Sequence, residues 1–144
     1  MIISTDQVHD VAAHIAPLVR PGCPLLLSGP LGSGKTTLTR HILRLYDPTL
    51  THVPSPTFPI MIPYECGPTG TVWHMDLYRL NGDDDVAQLD IPTLIAQHPC
   101  IIEWPERLGQ HTPRPCIHCA IDFAPSKGSS PVPRGRTYTL VVHP

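Results

Sequence analysis

The residues from Gly29 to Thr36 have the types and spacing that bind nucleotide phosphates. They read GPLGSGKT, a full match to the P-loop pattern G-x-x-x-x-G-K-(S/T). Glycines let the backbone turn so that amide N–H groups approach phosphate oxygens. Lys35 supplies a charge for the terminal phosphates, and the Thr36 hydroxyl is a ligand for Mg²⁺. This chemistry predicts a nucleotide site formed by Pro30, Leu31, Gly32, Ser33, Gly34, Lys35, Thr36 and Thr37.

The segments on either side of this loop have the patterns of a strand and a helix. Residues 24–28 are mainly apolar, which is typical of a buried parallel strand. After the loop, apolar residues recur at helical spacing until Asp47 and Pro48 end the pattern. A strand, a glycine loop and a helix in this order point a helix N-terminus at an anion. The flanking elements therefore support the phosphate-binding interpretation of the motif.

Two acidic residues follow apolar strands and are candidates for catalysis and for holding Mg²⁺. Asp76 follows residues 71–75, and Glu103 follows residues 100–102. The carboxyl ends of parallel strands form the edge at which open α/β sheets bind ligands. A nucleotide-hydrolysing loop also needs a carboxylate beside its metal. With Lys35 they form the predicted catalytic set, and these patterns alone do not rank the two acids.

A proline-rich segment, residues 47–59, follows the predicted helix and contains Ser55-Pro-Thr-Phe58. Its four prolines make regular secondary structure unfavourable, so we expect a loop. A hydroxyl residue on such a loop can reach the γ-phosphate and Mg²⁺, which makes Thr57 a candidate sensor of the bound nucleotide. A rigid turn fixed by prolines is an equally good interpretation of the same residues.

The rest of the chain alternates short helices and strands. The predicted elements are a helix at 5–19, an edge strand at 60–62, helical pieces in 83–98, a mobile stretch at 125–136, and strands at 116–122 and 137–142. Ser4 or Thr5 is expected to cap the first helix, and Pro92 to interrupt the helical pieces. The predicted fold class is α/β, with a P-loop NTPase-type sheet that is mostly parallel, has antiparallel additions and is flanked by helices. We expect the chain to form one domain over residues 1–144.

Composition limits the function classes that are open to the chain. With 144 residues and a net charge of −2, it offers no electrostatic argument for binding nucleic acid alone. No apolar run is long enough to cross a bilayer, and the N-terminus lacks a secretion signal, so we expect a cytoplasmic protein without a membrane partner. Of five cysteines, Cys116 and Cys119 have C-x-x-C spacing. They lie in a predicted strand without a second such pair, which favours structural thiols over a metal or redox site.

Together with the P-loop, four further blocks resemble the TsaE family (also called YjeE). The blocks are Ser55-Pro-Thr-Phe58, Tyr64-Glu65, His74-Met-Asp-Leu-Tyr-Arg79 and Glu103-Trp-Pro-Glu-Arg107. They occur in the family's order between residues 25 and 107. The P-loop by itself is generic, whereas the H-x-D-L-Y-R and E-W-P-E-R blocks at this separation are specific. The TsaE family comprises small bacterial ATPases required for the threonylcarbamoyladenosine modification of tRNA.

This resemblance implies a P-loop fold that binds ATP and Mg²⁺ and hydrolyses ATP slowly. It also implies action with TsaB and TsaD, in which TsaD transfers threonylcarbamoyl to adenosine, so that tRNA is met indirectly through the complex. By position, Glu103 corresponds to the family's metal-side acid and Asp76 to an essential carboxylate. Thr57 falls on the switch-like loop, and Trp104 lies beside the nucleotide. Pro59 stands where the family usually has Thr, which would stiffen that loop.

Two other functions could use the same loop. A small-molecule kinase needs an acceptor pocket and usually a lid that carries arginines, for which this chain has little spare length. A nucleotide-gated binding module would need no turnover at all. The preference for adenine over guanine rests on the resemblance, and no guanine-reading N-K-x-D motif is present.

Overall fold

The computed structural model describes residues 7–56, 60–124 and 135–144, together with the backbone of residues 2–5. Within them the elements are, in chain order, β1 Ile2–Thr5, α1 Val8–Ile15, β2 Leu25–Ser28, α2 Lys35–Tyr46, β3 Met61–Glu65, β4 Thr71–Asp76, α3 Asp83–Gln88, α4 Ile91–Gln97, β5 Cys100–Glu103, β6 Cys116–Phe123 and β7 Arg136–His143. Short 3₁₀ segments are found at Ala16–Leu18, Gly67–Thr69 and Pro105–His111. None of the described helices has the length and apolar character needed to cross a membrane.

The seven strands form one sheet in the order β1-β7-β6-β2-β5-β4-β3. The four adjacent strands β6, β2, β5 and β4 are parallel to one another. Antiparallel pairing adds β3 on one side, and β7 followed by β1 on the other. The predicted α/β class with antiparallel additions is confirmed. The sheet is mixed rather than mostly parallel, because three of its six described strand pairings are antiparallel.

Helices cover both faces of the sheet, and each face has its own apolar core. Leu25 and Leu27 of β2 pack on the face covered by α1 and α2. Leu26 packs on the opposite face, beneath α3 and α4. Because successive side chains of a strand point to opposite faces, a strand covered on both sides must be apolar throughout. This double burial fixes the end of β2. The segment with the P-loop motif, residues 29–36, begins there and is named the phosphate loop after that motif.

The N-terminal helix is shorter than its apolar pattern predicts. It begins at Val8, and its N-cap residue, Gln7, makes no side-chain capping hydrogen bond. Ser4 and Thr5 belong to β1, so the prediction that one of them caps the helix is wrong. These residues pair with the start of β7 near the other end of the chain. Such long-range pairing leaves no signal in a short local pattern.

Prolines lie inside two of the predicted elements. The helical pieces in 83–98 are confirmed, but they are separated at Asp90, which has φ +52°. Pro92 lies in the first turn of α4, where a helix tolerates a missing N–H. The edge strand is also confirmed, and it is longer than predicted because it continues through Pro63. A proline is compatible with an edge position.

Two predicted segments are described only in part. Residues 47–56 form no helix or strand, as expected for the proline-rich loop. Residues 57–59, which include the candidate sensor Thr57, lie outside the described residues. Of the stretch predicted to be mobile, residues 125–134 also lie outside them, and Arg136 begins β7.

All five cysteines are free and buried. Cys116 and Cys119 lie on β6, and burial raises the pKa of Cys119 to about 12. In the part of the chain that the structure describes, no group of three or more His, Cys, Asp or Glu side chains could hold a metal ion. The burial of Cys116 and Cys119 within a strand agrees with the interpretation of the C-x-x-C pair as structural thiols.

Candidate nucleotide site

The phosphate loop joins the carboxyl end of β2 to the first turn of α2. Gly32 has φ +74° and Gly34 has φ +108°, which are backbone conformations that other residues rarely adopt. A Cβ atom on Gly29 would collide with the carbonyl oxygen of Ile121 in β6. The path of the backbone therefore requires glycine at these three positions of the motif.

Lys35 is the first residue of α2, and its side chain is buried. Its Nζ donates to the carbonyl oxygens of Gly29 at 2.8 Å and Pro30 at 3.0 Å. The same atom lies 4.1 Å from the centroid of the Trp104 ring. Burial lowers the pKa of Lys35, and nearby carboxylates oppose that change. A cation with so little water around it interacts more strongly with an approaching anion than an exposed cation does.

Trp104 reaches Lys35 because the chain turns sharply after β5. The φ of Trp104, +58°, is unusual for a bulky residue. Its backbone N–H donates to the carbonyl oxygen of Leu27 at 3.2 Å. The indole ring packs against Tyr78, with 4.8 Å between ring centroids. Backbone strain of this kind is concentrated at functional sites.

Glu103 is bonded from two sides at the end of β5. The Thr36 hydroxyl donates to its Oε1 at 2.9 Å and to its Oε2 at 3.2 Å. The Nε2 atom of His74 lies 2.8 Å from Oε1. His74 is fully buried, and its Nδ1 has no hydrogen-bond partner within the described residues. Because an unpaired buried N–H is costly, we assign the proton to Nε2, which donates to Glu103.

Asp76 lies beside Glu103 because the two residues are register partners in β4 and β5. Its Oδ1 accepts the backbone N–H of Tyr78 at 3.0 Å, and its Oδ2 lies 3.5 Å from the Ser55 hydroxyl. Burial raises the pKa of Asp76, and the charge of Glu103 raises it further. The carboxyl ends of two neighbouring strands thus bring together the two acids that their sequence positions suggested.

A cleft of about 360 Å³ contains most of these groups. Its lining residues are Leu31, Gly32, Gly34, Lys35, Thr36, Thr37, Ser55, Asp76, Tyr78, Arg79, Glu103 and Trp104. Of the predicted site residues, Pro30 and Ser33 belong to the loop but do not line the cleft. Thr57 lies outside the described residues. The cleft therefore brings together all the other predicted site residues.

The sequence alone assigns no role to several residues of the site. Tyr78 and Arg79 line the cleft, and His74 bonds to Glu103. All three belong to the H-x-D-L-Y-R block, so that block was their only signal. Arg136 donates to the carbonyl oxygen of Ser33 at 2.9 Å from β7. No pattern in the chain indicates that contact.

The donor atoms of the cleft fit Mg²⁺. Thr36, Asp76 and Glu103 offer only oxygen, the ligand that Mg²⁺ prefers. The Thr36 hydroxyl already lies within hydrogen-bond distance of both Glu103 oxygens. Mg²⁺ is usually held by one or two protein oxygens together with water and substrate phosphates. A site with few protein ligands is therefore sufficient.

The family of this protein is identified by the similarity of most of its sequence to a family model. A family model described as "Threonylcarbamoyl adenosine biosynthesis protein TsaE" matches residues 2–130. The chain belongs to the TsaE family. The resemblance inferred from the P-loop and the downstream blocks is thereby confirmed, and with it a place in tRNA threonylcarbamoyladenosine biosynthesis.

Proteins named "tRNA threonylcarbamoyladenosine biosynthesis protein TsaE" are similar over most of their length. The one from Rickettsia bellii is 32% identical over 114 residues, which are 79% of this chain and 78% of that protein. The one from Streptomyces coelicolor is 35% identical over 119 residues, or 81% and 80% of the two chains. The crystal structure of YdiB from Bacillus subtilis matches with a TM-score of 0.74 at 24% identity. That match covers 100% of this chain and 86% of YdiB, and it supports the fold.

Proposed function

We propose that this member of the TsaE family is a P-loop NTPase that binds ATP and Mg²⁺ and hydrolyses ATP slowly. It acts with TsaB and TsaD during the formation of threonylcarbamoyladenosine in tRNA, and it meets tRNA through those partners. The family match supports the pathway. A cytoplasmic location follows from the proposed role, because bacterial tRNA is modified there.

The observation that carries the proposal is that Lys35, Thr36, Asp76 and Glu103 line one cleft. A buried lysine and the first turn of a helix attract a polyphosphate. Two buried carboxylates at the same place would repel it unless a cation lay between them. A nucleotide with its metal satisfies both sets of groups at once, whereas a bare anion or a bare metal satisfies only one.

Thr36 and Glu103 form the proposed metal side of the site. Their oxygens are already adjacent, and His74 holds Glu103 in place from the buried side. When bound, Mg²⁺ would supply positive charge to the phosphate oxygens. The chain's own contribution is to fix the two oxygen donors at the edge of the sheet before the ligand arrives, which reduces the cost of ordering them.

Lys35 and Asp76 form the proposed catalytic pair. Lys35 would stabilise negative charge on the terminal phosphate as it is transferred. Asp76 would orient the attacking water by accepting its hydrogen bond. Its raised pKa makes it a stronger proton acceptor than an ordinary aspartate. The backbone N–H of Tyr78 holds one carboxylate oxygen and so keeps the acid in position.

ATP hydrolysis with and without purified TsaB and TsaD tests the proposal. We expect Mg²⁺-dependent hydrolysis that the partners change and that Lys35→Gln loses. The matched control is Arg20→Gln, which removes one exposed charge before the amino end of β2. Nucleosides and sugars should be screened in the same assay as phosphate acceptors. Phosphorylation of a small acceptor, without any effect of the partners, would favour the kinase and overturn the proposal.

A further inference from the structure

The hairpin of β6 and β7 supports the phosphate loop from behind at two points. The first is at Gly29, where the carbonyl oxygen of Ile121 leaves no room for a Cβ atom. The second is Arg136, the first residue of β7, which reaches the carbonyl oxygens of the loop. The C-terminal strands are therefore part of the structure that shapes this loop.

Arg136 contacts two consecutive peptide groups of the loop. Its Nε donates to the carbonyl oxygen of Ser33 at 2.9 Å, and its Nη2 lies 3.4 Å from that of Gly32. The guanidinium carbon lies 4.6 Å from the ring centroid of Phe123, its register partner on β6. Stacking on an aromatic ring fixes the plane of the guanidinium, and its rigid fork can then hold two acceptors.

These contacts determine the orientation of one amide of the loop. In a trans peptide the C=O and N–H bonds point in opposite directions. When Arg136 holds the Ser33 carbonyl towards the hairpin, the N–H of Gly34 must point away from the hairpin. Gly34 has φ +108° and no Cβ, so local sterics alone do not fix this peptide. A contact from outside the loop supplies the restraint.

We propose that Arg136 is a positioning residue of the nucleotide site, which holds the Ser33–Gly34 peptide so that the Gly34 amide faces the phosphates. This inference rests on the proposed nucleotide function of the loop. Arg136 lies beyond residues 2–130, the range matched by the family model. The family match therefore does not include this residue, and its role rests on the contacts that it makes in this chain.

The test measures the orientation of the Ser33–Gly34 peptide and the affinity for ADP in separate experiments. In the nucleotide-free protein, Arg136→Gln should shift the Gly34 amide resonance in an ¹⁵N spectrum. The matched control Arg20→Gln should leave it unchanged. Calorimetry should then show that Arg136→Gln weakens ADP binding by about tenfold. This is the effect of losing one charge-assisted hydrogen bond, here the bond from the Gly34 N–H to a phosphate oxygen. The weak binding of adenosine, followed by NMR, should not change. Arg136→Lys should still bind ADP more weakly than the native protein does, because an ammonium group lacks the rigid fork of the guanidinium.

An unchanged Gly34 resonance together with an unchanged Kd for ADP would overturn the inference. So would full recovery with lysine, since charge alone would then explain the effect. Should Arg136→Gln fail to fold, Phe123→Leu replaces it, because this variant removes the stacking and keeps the fork. Phe123→Leu should shift the Gly34 amide resonance and weaken ADP binding by several-fold. If both the resonance and the Kd for ADP are unchanged, the inference is overturned. Absence of any ADP binding to the native protein would instead contradict the proposed function.

Discussion

The Thr36 hydroxyl donates to both oxygens of the Glu103 carboxylate, at 2.9 Å and 3.2 Å. The two residues are 67 positions apart, and the parallel pairing of β2 with β5 brings them to one edge of the sheet. A hydroxyl and a carboxylate at this distance can share one cation. This pair therefore connects the phosphate loop to the acidic side of the cleft.

Replacing Lys35 with glutamine should weaken ADP binding by about a hundredfold, because charge-assisted hydrogen bonds contribute up to about 3 kcal/mol. The free energy of unfolding should change little or increase, since the variant buries no charge at this position. Calorimetry and urea unfolding measure the two quantities. An unchanged Kd for ADP would show that the loop does not bind phosphate through Lys35.

The two acids of the cleft should give different kinetic defects. Glu103→Gln should raise the Mg²⁺ concentration needed for half-maximal hydrolysis by about tenfold, because a charged ligand of the metal is lost. Asp76→Asn should lower kcat by about a hundredfold, with the affinity for ATP retained. Mg²⁺ titrations and steady-state rates separate the two. The opposite pattern would mean that the roles assigned to the two acids are exchanged.

His74 should matter for both stability and metal dependence. His74→Leu removes one of the two donors to the buried Glu103 and leaves only the Thr36 hydroxyl, which should cost about 1–3 kcal/mol of unfolding free energy. It should also raise the Mg²⁺ requirement, because Glu103 is no longer held. His74→Gln keeps an N–H donor and should restore part of both effects. If the leucine variant needs no more Mg²⁺ than the native protein, then His74 serves packing alone.

The stability of the protein should depend on pH through His118. Burial lowers the pKa of His118 below its ordinary value of 6.5, and His143 lowers it further. As the pH falls below 6.5, the unfolded chain binds this proton before the native protein does. Native stability is therefore lost on acidification. Urea unfolding at several pH values should show a shallower loss for His118→Gln, and parallel curves would contradict the assignment.

The predictable part of this site is local in sequence. The P-loop motif, the strand before it and the helix after it occupy one continuous stretch. Residue types and spacing were therefore sufficient to predict this strand, loop and helix. Asp76 and Glu103 were found because both follow apolar strands, and parallel strands bring their carboxyl ends together. These predictions required only the strand pattern and the rule for ligand sites in α/β sheets.

The parts that were missed depend on pairings between distant segments. β1 forms because it pairs with β7 at the other end of the chain. Arg136 contacts Ser33 across 103 positions, and a lone arginine at the start of a strand carries no signal of that contact. His74 needs the register of β4 and β5 before its bond to Glu103 can be inferred. Tertiary geometry, rather than residue type, defines these roles.

The most direct test of the proposed function is the number of tRNA modification cycles that TsaB and TsaD complete. The reaction contains tRNA, the threonylcarbamoyl donor, ATP and Mg²⁺, with either the native chain or Lys35→Gln, and Arg20→Gln serves as the control. The native chain and the control should support repeated turnover, whereas Lys35→Gln should not. Equal turnover with native chain and Lys35→Gln would contradict the role of nucleotide binding in this protein.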